Sequence, residues 1–200
     1  MLFHYHFWTP YVEETEKFYI EQGFTVHQRI GRHEGEFQSF HPPLDWEDFR
    51  EKQIAFRIIE VKKGSVNITF GLGKKPMFDH IGFLVSQQQH DEICTRAEEM
   101  GWKTDPGERR TFIGTPFEFR VELQTHRDAI DEGNADFARI DHMKISTPEF
   151  GLEEKLTQLL GREDIKIASV TDEDVMLKEV TMWGMSEDST DPNGVLILQR

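Results

Sequence analysis

The sequence is short of cysteine, of cationic charge and of long apolar runs. A single thiol, Cys94, in 200 residues can form neither an intramolecular disulfide nor a cysteine-based zinc site. That excludes disulfide-stapled secreted scaffolds and zinc ribbons, and it points to a reducing, cytoplasmic setting. Lys and Arg number 23 against 37 Asp and Glu, for a net charge of −14. A field of that sign repels phosphate backbones and anionic bilayers, so neither nucleic acid nor a membrane is expected as a partner. No apolar run approaches the roughly 18 residues that span a bilayer, and the opening MLFHYHFWTP lacks a basic start followed by an apolar stretch, so no export signal is expected. Aromatic side chains are plentiful instead: 16 Phe, 4 Trp and 3 Tyr are too many for a disordered acidic chain, and the length supports a sizeable core in one or two domains.

Three stretches resemble one another: Phe3 to Val26, Asp79 to Thr104, and Asp141 to Glu163. Each reads as an apolar strand carrying a histidine, a polar break, and an amphipathic helix that stops near Gly23, Gly101 or Gly161. Short runs rich in Val, Ile, Phe and Thr follow each helix and read as strands: Phe24 to Ile30, Ile54 to Val61 and Ser65 to Gly71, then Thr111 to Ile113 and Glu118 to Thr125, then Ile165 to Val170, Val175 to Trp183 and Val195 to Gln199. The fold class expected is therefore α+β, built from repeated βαβββ units whose mixed, curved sheets form a cleft. The units run over 1–73, 78–126 and 137–200, the last partly degenerate. An insertion from Gly31 to Gln53 reads as a loop with one helical turn, and its aromatics could wall a pocket if it folds over the cleft. Lys74 to Phe78 and His126 to Asp136 read as linkers.

A histidine recurs in each opening strand: His4, His80 and His142. A strand histidine is more often a hydrogen-bonded core or surface residue than a ligand, but alternation in Phe3-His4-Tyr5-His6-Phe7 puts His4 and His6 on one face and the aromatics on the other. Glu122 stands between Val121 and Leu123 in a closing strand, where a carboxylate serves equally well as a solvent-facing residue. Two imidazoles and one carboxylate are the ligand set of a facial triad, which leaves metal positions open for substrate. Other features carry no chemistry. GLGKKP from Gly71 lacks the length and hydroxyl residue of a phosphate loop, and His90 and Cys94, four apart on a helix, have no further ligand nearby in sequence.

The repeated unit, with histidines opening successive copies and a glutamate closing the second, resembles the vicinal oxygen chelate superfamily, which includes glyoxalase I, extradiol ring-cleaving dioxygenases and the bleomycin resistance proteins. The resemblance implies a divalent metal held by His4, His80 and Glu122, with His6 and His27 as acid or base candidates beside it. Asn67 stands where lyase-like members carry a fourth ligand, and an amide is a weak one, so the resemblance favours the three-ligand dioxygenase branch with Fe(II) or Mn(II), with Zn or Ni as other choices. The activity expected is dioxygenase chemistry on a small oxygenated or aromatic substrate. The alternatives are a glyoxalase-like lyase or isomerase, or a metal-free sequestering protein whose acidic surface suits a cationic ligand. Such units normally pair, so a third must cover a face of the first two or meet a second chain, and a homodimer is the economical expectation. GVLILQR carries no glutamate at the place of Glu122, so His142 is not expected to complete a second site.

Overall fold

The computed structural model describes residues 1–131 and 137–200. Five residues of the expected 126–136 linker lie outside them. The first unit contains β1 (Leu2–Thr9), α1 (Val12–Glu21), β2 (Thr25–His33), β3 (Glu36–Ser39), β4 (Ala55–Lys63) and β5 (Val66–Leu72), and the second β6 (Met77–Leu84), α2 (Gln87–Glu99), β7 (Thr104–Pro106), β8 (Arg110–Gly114) and β9 (Arg120–Gln124). Together they make one nine-stranded sheet, ordered β3-β2-β4-β5-β1-β6-β9-β8-β7. In each unit the closing strand returns parallel to the opening one, β5 beside β1 and β9 beside β6, and antiparallel pairing of β1 with β6 joins the two units. The four strands at the centre are therefore those that open and close the units.

Local chemistry explains the elements. Ser86 begins α2 as half of a reciprocal cap, its hydroxyl accepting from Gln89 N while the Gln89 amide oxygen accepts from Ser86 N, so two otherwise orphaned donors are satisfied. Helix α2 buries Ile93 and Ala97, and α1 buries Val12 and Tyr19. These side chains share one apolar cluster with Tyr5, Phe7, Ile68, Phe70, Ile81 and Phe83 of the central strands. The same strands bury polar residues on their other face: His4, His6, Asn67, Thr69, His80, Glu122 and Gln124. Alternation thus separates a dry core from a polar cleft.

The insertion departs from expectation. Its first part is not loop but strand β3, a hairpin partner of β2, and a 3-10 turn follows at Trp46–Phe49. Phe40 and Trp46 each pack edge to face on Phe49 and on Phe56, which also meet edge to face. Beneath them Arg29 makes a buried pair with Glu16, and Trp46 Nε1 donates to the same carboxylate at 2.8 Å. These aromatics serve a core at the sheet edge and do not wall the cleft. Phe37 alone among them stays exposed.

The C-terminal region also pairs differently from a single βαβββ unit. It contains β10 (Arg139–Thr147), α3 (Leu152–Leu160), β11 (Ile167–Thr171), β12 (Met176–Trp183), β13 (Ser189–Thr190) and β14 (Leu196–Gln199), in the order β11-β10-β12-β14-β13. The neighbours pair parallel, antiparallel, parallel and antiparallel. The central order β5-β1-β6-β9-β8 has the same sequence of senses. Registers agree as well: His142 faces Thr181 and Lys144 faces Glu179, as His4 faces Gly82 and His6 faces His80. The region is therefore a condensed pair of units, the first without its two middle strands and the second without its helix and the strand that follows it. A third unit is not left unpaired, because this one contains its own partner. Met143, Ile145, Leu177 and Val180 join the apolar cluster of the larger sheet, so the C-terminal sheet covers a face of the first pair within one chain. The homodimer expected on that ground is not required by the packing.

Candidate metal centre

The three residues singled out as ligands meet on adjacent central strands. His4 on β1 faces Gly82 on β6, Gly82 in turn faces Glu122 on β9, and His80 stands two residues before Gly82 on the same face. Glycine is what the geometry needs here: a Cβ at position 82 would lie 2.8 Å from His4 Cβ and 3.0 Å from Phe3, so only a residue without one lets the ligand side chains converge. All three ligands are buried, at 2%, 4% and 2% exposure for His4, His80 and Glu122. Among the described residues they are the single group of His, Cys, Asp or Glu side chains able to hold a metal ion.

Their protonation follows from their neighbours. His4 Nδ1 lies 2.9 Å from the Asn67 carbonyl oxygen and 3.0 Å from Asn67 Oδ1. The Asn67 amide is oriented by donating Nδ2 to Glu60 and to the Ala129 carbonyl, both at 2.7 Å. With two oxygens facing it, His4 Nδ1 carries the hydrogen. His80 Nδ1 donates to Asp79 Oδ2 at 2.5 Å. Burial pushes the His4 imidazole down to about 4, with Glu122 opposing. Burial pushes the Glu122 carboxyl up, yet the hydrogen bond from His80 and the charges around it outweigh that and hold it at about 2.

Each ring commits its Nδ1 to an oxygen behind it and turns its Nε2 into the cleft, which sets the two Nε2 atoms side by side. These lie 3.0 Å apart, with Glu122 Oε2 3.2 Å from one and 3.9 Å from the other. Three metal-ligating atoms of two imidazoles and one carboxylate, held this close together and buried, form a nest suited to a cation. Ligands about 2.1 Å from a metal and at right angles lie about 3.0 Å from each other, the spacing of the first two edges. The donor set fits a divalent ion, and Asn67 acts on His4 from behind instead of ligating.

Two open compartments flank this trio. The first, about 450 Å³, is lined by Phe3, Gln28, Glu60, Lys62, Arg109 and Asp128 along with His4 and Glu122. The second, about 380 Å³, is lined by His6, Trp8, Arg57, Asp79, Phe112 and Arg120 along with His80. His6 is buried, its ring stacked on His80 at 5.0 Å between centroids, with Nδ1 2.7 Å from Thr69 Oγ1. Burial and the neighbouring imidazoles hold it well below the usual histidine range. His27 does not line either compartment. It occupies a register break in β2 that turns it outward, 4.0 Å from Asp131, which corrects its expected place beside the metal.

Alternation alone misses two cleft residues. β1 and β6 break register between Leu2 and His4 and between His6 and Phe7. Those bulges turn Phe3 to the cleft side beside His4, and Asp79 to the cleft side beside His80. Arg110 was also not foreseen; its Nη1 donates to Glu122 Oε2 at 3.2 Å. An isolated glycine inside the strand DHIGFL is the one sequence signal of close approach here. In the C-terminal sheet, His142, Lys144, Glu179 and Leu198 hold the register positions of His4, His6, His80 and Glu122. A Lys144–Glu179 ion pair at 3.3 Å and an aliphatic residue there replace the convergent lone pairs.

No protein-family model matches this chain, and no curated protein sequence does. Solved structures match closely in shape. The 2,3-dioxygenase LapB of a Pseudomonas species aligns over 100% of this chain and 91% of its own, with a TM-score of 0.67 and 13% identity. Homoprotocatechuate 2,3-dioxygenase of Arthrobacter globiformis aligns over 100% and 79%, with 0.65 and 11%. The 2,2',3-trihydroxybiphenyl 1,2-dioxygenase of Sphingomonas wittichii aligns over 100% and 90%, with 0.64 and 11%. The chain has the fold of the extradiol ring-cleaving dioxygenases, the vicinal oxygen chelate fold.

Proposed function

We propose that the protein is a metal-dependent enzyme of extradiol-dioxygenase type, acting on a small aromatic compound that bears two adjacent oxygens. The observation that carries this reading is the convergence of His4 Nε2, His80 Nε2 and Glu122 Oε2, each residue held from behind or beside by a hydrogen bond. Bound there, Fe(II) or Mn(II) would supply Lewis acidity toward two substrate oxygens and a redox centre for dioxygen. Three protein ligands on one side leave the other side free for those partners.

The chain's own residues supply the rest. Asn67 and Asp79 fix ring orientation and raise the basicity of the ligating nitrogens. Arg110 donates to Glu122 and adds to the larger effects of His80 and His4 that keep that carboxylate ionised. His6, stacked on His80 and lining the second compartment, is the imidazole placed to exchange a proton with substrate there. Phe112, edge-on to His80 at 4.9 Å, limits water on that side. In the second compartment three arginines face one carboxylate, which suits an anionic ligand better than a cationic one.

The test is elemental analysis of untagged protein after anaerobic reconstitution with Fe(II), Mn(II), Zn(II) or Ni(II), followed by oxygen-uptake assays with a catechol series. Wild type should hold about one metal per chain, and Glu122→Ala close to none with its far-UV spectrum intact. Oxygen uptake with ring cleavage in the Fe(II) or Mn(II) form supports the proposal. Metal without oxygen uptake transfers the same three ligands to a lyase or isomerase, and no metal under any condition overturns the site.

A further inference from the structure

The two compartments differ in charge. In the first, Lys62, Arg109 and Arg110 face Glu60, Asp128 and Glu122, and the pairs are made: Lys62 with Glu60 at 3.5 Å, Arg109 with Asp128 at 2.6 Å, Arg110 with Glu122 at 3.2 Å. In the second, Arg57, Arg110 and Arg120 face a single carboxylate, Asp79. Arg120 pairs with Asp79 and Arg110 with Glu122. Arg57 is left over: among the described residues no carboxylate or carbonyl accepts from it, and its guanidinium lies 4.4 Å over the Trp8 ring. Its side chain lines the compartment beside His6 and Trp8. Arg57 is solvent-exposed while lining this compartment, so its guanidinium is open to a ligand that enters from solvent.

The surroundings of Arg57 are built. Trp8 lies flat where two glycines leave room for it, since a Cβ at Gly71 would sit 2.5 Å from its ring and one at Gly73 2.8 Å from its Cβ. Ile30 and Ile58 line the same compartment, and Phe112 does so opposite, carrying Arg120 at 4.3 Å. Apolar walls lower the effective dielectric and strengthen a charge pair formed there, and a planar guanidinium presents parallel donors that match a carboxylate.

We propose that the second compartment takes the anionic group of a small, flat acid, with Arg57 as its anchor and Trp8 and Phe112 as its walls. This deepens the enzyme reading and rests on it for what lies next door: the substrate would carry its carboxylate on the His6 side of the ligand trio. Arg57 is a specificity-determining residue in this account, and it touches no metal ligand.

The experiment is anaerobic calorimetric titration of the metal-loaded protein with 3,4-dihydroxybenzoate and with its uncharged amide, 3,4-dihydroxybenzamide. Benzoate titrated into the metal-free protein is the second arm. Wild type should prefer the acid by about 10- to 100-fold, the range of a charge-assisted hydrogen-bonded pair. Arg57→Gln should bring that preference near unity while leaving amide affinity unchanged, and Arg57→Lys should restore part of it. Benzoate should bind the metal-free wild type and not Arg57→Gln. Equal affinity for acid and amide in wild type, or a preference that survives in Arg57→Gln, overturns the inference while the metal site stands. If no metal loads, the benzoate arm still decides: binding lost in Arg57→Gln upholds the anion site without the enzyme, and no binding sinks it.

Discussion

His80 reaches the centre of the cleft with its Nε2 because its Nδ1 is already committed to Asp79 at 2.5 Å. Asp79 is in turn paired with Arg120, and with these partners it is held well below the usual carboxylate range despite burial that opposes ionisation. An ionised partner fixes the tautomer and raises the basicity of the ligating nitrogen. Asp79→Asn is nearly isosteric but presents a neutral amide in place of that carboxylate. It should weaken metal affinity by about 10- to 100-fold, the usual cost of losing an outer partner of a ligating histidine, without changing stoichiometry at saturating metal. Competition against a chelator of known affinity reads this directly. Unchanged affinity would mean that Asp79 orients Arg120 and not His80. The effect should be smaller for Asn67→Ala, because the backbone carbonyl at position 67 still accepts from His4 Nδ1 at 2.9 Å.

Strand β6 sets the spacing of the whole trio, with Gly82 at its hinge between His4 on one neighbour and Glu122 on the other. Gly82→Ala places a methyl 2.8 Å from His4 Cβ, a contact that only displacement of β1 or of the His4 side chain relieves. The expected outcome is a folded protein with at least about tenfold weaker metal binding, since ligand geometry tolerates only small errors; circular dichroism and metal titration together check it, and full affinity would show that the strands yield without cost. Strands such as these were legible in the sequence: alternation gave β1 its two faces, and the glycines after α1, α2 and α3 gave the helix ends. His4, His80 and Glu122 were nameable only through a family resemblance, because a strand histidine or glutamate has no local mark of convergence. Phe3 and Asp79 were not readable at all. A bulge shifts the pleat by one residue, and nothing in a period-two pattern announces it. The C-terminal strands read in sequence as one partly degenerate unit, because loss of middle strands leaves the remaining runs with that look; the two halves are visible only in the strand pairing.

At the scale of the whole molecule the condensed C-terminal pair is tied to the larger sheet by a polar thread as well as by apolar packing. Tyr5 and Tyr19 hydroxyls lie 2.9 Å apart, Tyr19 donates to Asp191 Oδ2 at 3.0 Å, and Asn193 Nδ2 reaches Thr15 on α1 at 3.1 Å. Asp191 lies between β13 and β14 and accepts from the backbone of Asn193 and Val195. Burial raises its carboxyl above the usual value, although each of these donors opposes the rise. A carboxyl raised in the folded state binds more protons there than in the unfolded chain, so its contribution to stability is full below the unfolded value of about 3.9 and declines as pH rises through the folded one. Asp191→Asn keeps an acceptor for the backbone donors but cannot ionise. The stability of wild type relative to Asp191→Asn should therefore fall as pH rises from about 4 and level off once the folded carboxyl has lost its proton. Denaturant titrations of both proteins at a series of pH values give that difference with the contributions of all other groups cancelled. A difference that rises with pH would show that the hydrogen bonds to Asp191 outweigh its burial, and that the thread joining the two sheets is strongest when charged.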